Sequence, residues 1–454
     1  MKLPTSVSLF ALTLLQCVYN TVAITVDFQD DTSLNNALAL VADGLMDYYN
    51  GDQYGGTPGM FVNPYYWWEA GAAFGSMLDY WFYTGNTTYN DVIKAGMLYQ
   101  TGKNNDYMPS NQTTTEGNDD QGFWGILVMD AAEKNFSNPD PDQAQWLSLA
   151  QAVFNTMASR WDTDTCHGGL RWQIFTWNNG YNYKNSVANG CFFHMGARLA
   201  RYTGNTTYSD WSEKVWDWMT TVGFINETSG QLIDGADIST NCTTHTPYEW
   251  TYNYGLFTAG AAYLYDFTND TKWLTRAQLL MERGSSIYFD DGVMFEAACQ
   301  NTGRCNNDQR SFKAIYSRFL GLTAQLAPPM ADQIMNLLSS SAAAAAISCS
   351  GGTDGHTCGL NWNVGKWDGV WGLGEQMSAL EVMQNTRALQ IAKPLTAHTG
   401  GSSKGNPAAG SDSGTSNFLT NSLDISSKDR AGAGILTALL AVGIVGTGWW
   451  MMKQ

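Results

Sequence analysis

Apolar residues recur at helical spacing through most of the chain. Between Ser33 and Tyr49 they fall at Leu34, Leu38, Val41 and Leu45, one face of a helix. Similar patterns predict helices over 67–83, 123–135, 143–160, 186–202, 208–222, 253–267, 310–326 and 372–391. Strand-like alternation is scarce. No low-complexity break interrupts the chain from Ile24 to Lys393, so 24–393 reads as one all-α domain.

One turn recurs between these helices. Tyr83-Thr84-Gly85-Asn86-Thr87-Thr88-Tyr89 returns as Tyr202-Thr203-Gly204-Asn205-Thr206-Thr207-Tyr208, and more weakly as Phe267-Thr268-Asn269-Asp270-Thr271-Lys272-Trp273. Each copy ends one helix on Gly or Asn, which tolerates the left-handed C-cap, and offers Thr or Asp to cap the next. A repeated turn means a repeated helical hairpin, and evenly spaced hairpins that close on themselves form an (α/α) toroid. A linear solenoid would show repeats more regular in length.

The ends have a different character. Residues 1–23 join a charged start, a short apolar run and small residues, the pattern of a secretory signal cleaved after Ala23. Residues 394–430 are Gly/Ser-rich and read as a linker holding a lipid-anchor attachment region between Gly410 and Ser422. The apolar tail 431–454 completes the signal for a glycosylphosphatidylinositol anchor, on which it would be removed. A true membrane helix would leave only Lys453-Gln454 beyond it. The expected location is the outer face of the cell membrane and the cell wall.

Cysteines and sequons fit that compartment. Cys17 falls in the signal. Cys299/Cys305 and Cys349/Cys358 are each spaced to clip a loop, and Cys166, Cys191 and Cys242 leave one thiol free or paired between chains. Asn86, Asn111, Asn135, Asn205, Asn226, Asn241 and Asn269 begin N-glycosylation sequons. A net charge of −17 argues against nucleic acid as a partner. With 18 Trp, the chain has aromatic surface for both a large core and the flat faces of sugars.

The sharpest chemical signal is Glu116-Gly117-Asn118-Asp119-Asp120-Gln121, two adjacent carboxylates leading into an apolar helix. Asp at a helix start is also an ordinary cap. Neighbouring Cα atoms lie about 3.8 Å apart. Diverging side chains can then reach the retaining carboxyl separation of about 5–5.5 Å, whereas the inverting separation, above about 6.5 Å, needs near-maximal divergence. His167, His194, His245 and His356 lack ligand spacing, so neither a metal nor another cofactor is expected. Asp162 and Asp164 read as an Asx turn in preference to a calcium site.

With Tyr66-Trp67-Trp68-Glu69-Ala70-Gly71, Gly168-Gly169-Leu170-Arg171-Trp172-Gln173, Tyr183-Lys184-Asn185-Ser186, Thr251-Tyr252-Asn253-Tyr254-Gly255 and 367–376, the Asp-Asp block resembles the mannan endo-1,6-α-mannosidases of glycoside hydrolase family 76. It is most similar to their fungal cell-wall, lipid-anchored branch. The resemblance spans nearly all of 24–393. It implies an (α/α)6 barrel and retaining chemistry on α-1,6-linked mannose glycans. It also implies Asp119 as nucleophile, Asp120 as acid/base, and a sugar groove lined by Trp172, Asn185, Tyr252 and Asn253. Core packing and loop hydrogen bonds are the alternative roles of those four. Asp368, in a Gly-rich loop, is a further groove candidate. Of Trp67 and Trp68, at most one is expected to face the groove. Asp119 is expected to be ionised and Asp120 to hold the proton.

A retaining intermediate is resolved by water or by another sugar, so hydrolysis and transfer to wall glucan both stay open. A non-catalytic mannan-binding scaffold of the wall is the alternative from another class, disfavoured by the presence of both carboxylates. An inverting toroid glycosidase on another glycan is a third.

Overall fold

The computed structural model describes residues 24–112 and 115–411, with Thr437 and Ala441. The expected signal segment lies outside them, as does the apolar tail apart from those two residues. Among the described residues no helix is long and apolar enough to cross a membrane.

Among them, twelve α-helices follow one another: α1 (Asp31–Met46), α2 (Trp67–Thr84), α3 (Asn90–Tyr99), α4 (Asn118–Glu133), α5 (Trp146–Ser159), α6 (Ser186–Thr203), α7 (Thr206–Thr221), α8 (Thr251–Thr268), α9 (Thr271–Tyr288), α10 (Asn307–Leu326), α11 (Ala331–Ser348) and α12 (Leu373–Gln384). The even-numbered helices form a closed ring, each packed on the next and α12 on α2. The odd-numbered ones pack outside it. This is the expected (α/α)6 barrel.

The two rings differ in composition for a physical reason. Inner helices are covered on every face: in α4 every residue from Gln121 to Glu133 is buried. Outer helices bury one stripe, as in α9, where Trp273, Ala277, Leu280, Met281 and Gly284 lie inward at helical spacing. The periodicity does not single out α3, α9 and α11, which are all outer. α3 is short, α9 is largely polar and α11 is Ala/Ser-rich, so their apolar signal is thin.

The repeated turn joins inner to outer helix. α2 ends on Gly85 at φ 73° and α6 on Gly204 at φ 74°, and α8 ends on Asn269 at φ 55°. The side chains of Asn205 and Asp270 then cap α7 and α9. These junctions lie at one end of the barrel, as expected for hairpins on a rim. All seven sequon asparagines are at least partly exposed.

That end is plugged from within. Arg198 pairs with Asp130 and Glu133 at 2.5 Å each, Arg318 with Glu381 at 2.5 Å, and Lys134 with Asp79, all of them buried. Buried charges are tolerable only when paired in this way. The inner helices' N-termini gather at the opposite, open end.

Disulfides join Cys299 to Cys305, Cys349 to Cys358 and Cys166 to Cys242, leaving Cys191 as a buried free thiol. Asp162 forms the Asx turn, its Oδ1 accepting from the Asp164 amide at 3.0 Å. The polar stretch read as a linker from 394 stays on the barrel as far as 411. Leu395 N donates to Glu133 O at 2.8 Å and Asn155 Nδ2 to Ala409 O at 2.8 Å. Its backbone groups find partners there that composition does not reveal.

Candidate active site

The open end of the barrel holds a cavity of about 470 Å³, walled by the first turns of α2, α4, α6, α8 and α10 and by the loops before them. Asp119 and Asp120 line it as the second and third residues of α4. The helix begins earlier than its apolar pattern suggests, so the pair occupies a helical turn.

Asp120 behaves as a cap: its Oδ2 accepts from the Gly117 amide at 2.6 Å. Asp119 Oδ2 accepts from Trp172 Nε1 at 3.0 Å, while its Oδ1 has no hydrogen-bond partner. Gly117 leaves room for that oxygen, since a Cβ there would stand 2.3 Å from it. The cap and the chemistry therefore share one turn. One carboxylate is committed to the backbone and its neighbour is free at one oxygen.

Both carboxyls face the cavity yet are largely enclosed by protein. Burial and the adjacent charge of Asp120 push Asp119 well above the usual carboxylate range. Burial raises Asp120 to about 6, with the Gly117 N–H acting against the shift and the Asp308 charge adding to it. Two carboxyls this close and this enclosed ionise in separate steps, so one proton is shared by the pair.

Trp172 is held between two elements. Its amide donates to Tyr183 O at 2.7 Å, and its carbonyl accepts from Asn118 N at 2.8 Å, the first residue of α4. Gly180, at φ 93°, packs against the indole where a Cβ would come within 2.4 Å of the ring. Tyr183 belongs to β1 (Tyr183–Asn185), which pairs antiparallel with β2 (Gly235–Asp237). This small sheet sits on the rim and brings Asp234 to the cavity.

Asn185 and Tyr252 also line the cavity. Asn185 doubles as the cap of α6, its Oδ1 accepting from Ala188 N at 3.2 Å. Tyr252 stacks on Phe312 with centroids 3.8 Å apart. Asn253 and Asp368 do not line the cavity. Asn253 follows Tyr252 by one helical step of about 100° and is wholly buried away from the cavity. Asp368 organises its own loop, accepting from Leu360, Asn361 and Val370 amides. Trp67 and Trp68 both line the cavity, against the expectation of at most one. At the first turn of an inner helix, adjacent positions both border the opening.

Two further carboxylates were not singled out by the sequence. Asp234 accepts from Tyr183 Oη at 2.6 Å and Trp250 Nε1 at 3.0 Å, and Asp308 accepts from Trp68 Nε1 at 2.9 Å. Burial raises both. The cavity is thus a cluster of carboxylates held by aromatic N–H and O–H donors, suited to a polyhydroxylated or cationic ligand.

The model of glycosyl hydrolase family 76 matches residues 33–398. The chain belongs to glycosyl hydrolase family 76. A family 76 relative, mannan endo-1,6-alpha-mannosidase DCW1 of Saccharomyces cerevisiae, is 59% identical over 95% of each chain. The same yeast's mannan endo-1,6-alpha-mannosidase DFG5 is 53% identical over 95% of this chain and 94% of its own. Among solved structures, Dfg5 from Chaetomium thermophilum in complex with glucosamine superposes with a TM-score of 0.83 at 42% identity, covering 86% of this chain and 98% of that one. An inactive variant of the α-1,6-mannanase GH76A of Salegentibacter sp. HEL1_6, in complex with α-1,6-mannotetrose, shares the fold at a TM-score of 0.63 and 18% identity, covering 78% and 99%.

Proposed function

We propose that this chain is a retaining, endo-acting α-1,6-mannosidase or transglycosidase of fungal cell-wall biogenesis. Its donor is α-mannan or the mannose-containing glycan of lipid-anchored proteins. The observation that carries the reading is the adjacent pair Asp119 and Asp120 at the cavity, one with a free oxygen and the other fixed by a backbone donor. The names of the yeast relatives support the linkage, as does the mannotetrose bound by the bacterial enzyme. That variant is inactive with two consecutive aspartates replaced by alanine.

In the proposed reaction Asp119 attacks the anomeric carbon. The glycosidic C–O bond breaks, and the leaving oxygen takes a proton from Asp120. The pair holds one proton between them. Positive charge developing at the anomeric carbon favours the ionised form of Asp119, and the Trp172 N–H supports it. The proton then belongs on Asp120, where the nearby Asp308 charge helps hold it. In the second step Asp120 takes a proton from water or from a sugar hydroxyl of wall glucan. That oxygen attacks the anomeric carbon, and Asp119 leaves.

Asp234 and Asp308 offer acceptors for sugar hydroxyls or for the ammonium of an amino sugar, a chemistry consistent with the glucosamine held by the Chaetomium relative. The signal-like start and the Gly/Ser-rich, apolar C-terminus support secretion, glycosylation at the sequons and a glycosylphosphatidylinositol anchor. The test is incubation with defined α-1,6-mannooligosaccharides, with and without a glucan acceptor, followed by mass analysis. Shortened mannosides, or mannosyl-glucan adducts, are the expected products. Failure to cleave any α-1,6-mannoside overturns the proposal.

A further inference from the structure

The loop between Trp172 and Tyr183 leaves the cavity wall and returns to it. Its base is closed by the Trp172 amide, which donates to Tyr183 O at 2.7 Å. Within it, the Asn178 amide donates to Phe175 O and the Tyr181 amide to Asn178 O, each at 3.1 Å. The Asn178 side chain donates from Nδ2 to Gln173 Oε1 at 3.0 Å, and Gln173 lines the cavity. These bonds place Trp177 one residue from a side chain tied to the cavity wall.

Trp177 is 47% exposed. Phe175 stacks behind it, with ring centroids 5.0 Å apart and planes 17° apart. Phe175 is itself buried in a small cluster with Met108 and Ile174. One face of the indole is therefore backed by protein, and the exposure falls on its outer face and edge. A ring fixed in this way gives up little rotamer freedom when a ligand covers it. Thr176, Asn179 and Asn182, all exposed, flank it with short polar side chains. A flat apolar face edged by hydroxyl and amide groups matches a pyranose, which packs its C–H groups on the ring and presents its hydroxyls at the rim. The loop from 172 to 183 carries no charged residue, which suits a neutral ligand.

We infer that Trp177 is an outlying glycan platform that takes a neutral pyranose beyond the sugars held in the cavity. The inference rests on the mannoside reading above and lengthens that site. A cavity of about 470 Å³ suits one compact ligand, whereas an endo-acting enzyme meets a polymer. A sugar stacked on Trp177 raises the affinity for long chains and fixes how they lie, without touching the reacting atoms. A mannan donor and a glucan acceptor both present pyranose faces, so the platform serves either.

The test is affinity measured by ligand-observed NMR on the Asp119→Ala enzyme, where turnover does not intervene. The ligands are α-1,6-mannobiose, α-1,6-mannohexaose and a glucan hexasaccharide. Trp177→Ala should weaken a hexasaccharide by about fivefold to tenfold and the mannobiose hardly at all. Trp177→Phe, which keeps a flat ring, should recover most of that loss. A loss confined to mannohexaose makes the platform a donor site, and one confined to the glucan makes it an acceptor site. Equal weakening of mannobiose and mannohexaose, or no weakening of any ligand, overturns the proposal. Phosphatidylcholine vesicles that displace the hexasaccharide from the tryptophan-bearing enzyme alone would assign the indole to a lipid surface, and overturn it too. An enzyme with Asp119 intact that binds mannohexaose but cleaves no α-1,6-mannoside overturns the activity, and the platform is then judged by the affinity ratio alone.

Discussion

Trp172 donates its indole N–H to Asp119 Oδ2 at 3.0 Å, joining a rim loop to the first turn of an inner helix 53 residues away in sequence. The bond favours the charged form of Asp119, the form a nucleophile needs. Trp172→Phe keeps a flat ring and removes the donor. Because the indole is 37% exposed, the loss is expected to be modest, about tenfold in kcat, or ~1.4 kcal/mol. Gly180→Ala, which crowds the same ring, should lower kcat in the same direction with the donor still present. Steady-state kinetics on an α-1,6-mannoside would check both.

Asp308 and Asp120 set the alkaline side of the pH profile. Burial, with the Asp308 charge adding to it, raises Asp120 to about 6. Asp308→Asn removes a negative charge, so Asp120 should ionise at lower pH. The alkaline limb of kcat/KM is expected to move down in pH, read from a full pH–rate profile. A limb that stays in place would remove Asp308 from the account.

Arg160 holds the catalytic turn from behind. It donates from Nε to Asn118 Oδ1 at 2.7 Å and from a terminal nitrogen to Gln121 Oε1, bracketing Asp119 and Asp120. Arg160→Lys keeps the charge but loses the rigid fork. Expected is a fall in kcat of about tenfold, ~1.4 kcal/mol, with little change in KM and a thermal transition close to that of the parent. A change confined to stability would make Arg160 structural only.

Much of the barrel is legible in the sequence, because the repeated Tyr-Thr-Gly-Asn turn states its own geometry and most inner helices are long apolar runs. The paired aspartates are legible as well, but only as one of two readings, since a helix cap has the same letters. The structure shows that Asp120 is a cap and still borders the cavity. Asp308 was missed for the same reason, since an Asp within a first helical turn looks like a cap, and Asp234 because it precedes only the three-residue strand β2. The usable signal is positional. Each lies at or just before the N-terminus of an inner helix or on the rim sheet, and all those termini share one end. Tyr252 and Asn253 mark the limit, because adjacent residues on one helix part by about 100° and only the fold says which meets the cavity.

Stability should fall as pH rises through the neutral range. Burial raises Glu69 and Glu296 from an ordinary 4.5 to about 8, and Glu375 to about 7. Folded, these groups keep a proton that the unfolded chain gives up near 4.5, so their contribution is full below 4.5 and is lost toward 8. Asp162, Glu213 and Glu249 are lowered against desolvation by hydrogen bonds and cationic neighbours, and act oppositely only in acid. Melting temperature is expected to peak on the acidic side and decline from about pH 5 to pH 8. Glu69→Gln and Glu296→Gln should each flatten that decline in a calorimetric series.

Azide rescue on an α-mannosyl substrate with a good leaving group tests the catalytic pair most directly. Asp120→Ala should form its covalent intermediate and stall for lack of a base. Azide, which needs no base, should then restore turnover and yield the α-mannosyl azide. Asp119→Ala has no nucleophile, so any azide product should be β. An α-azide from Asp119→Ala, or near wild-type activity in both variants, would contradict the assignment of Asp119 and Asp120.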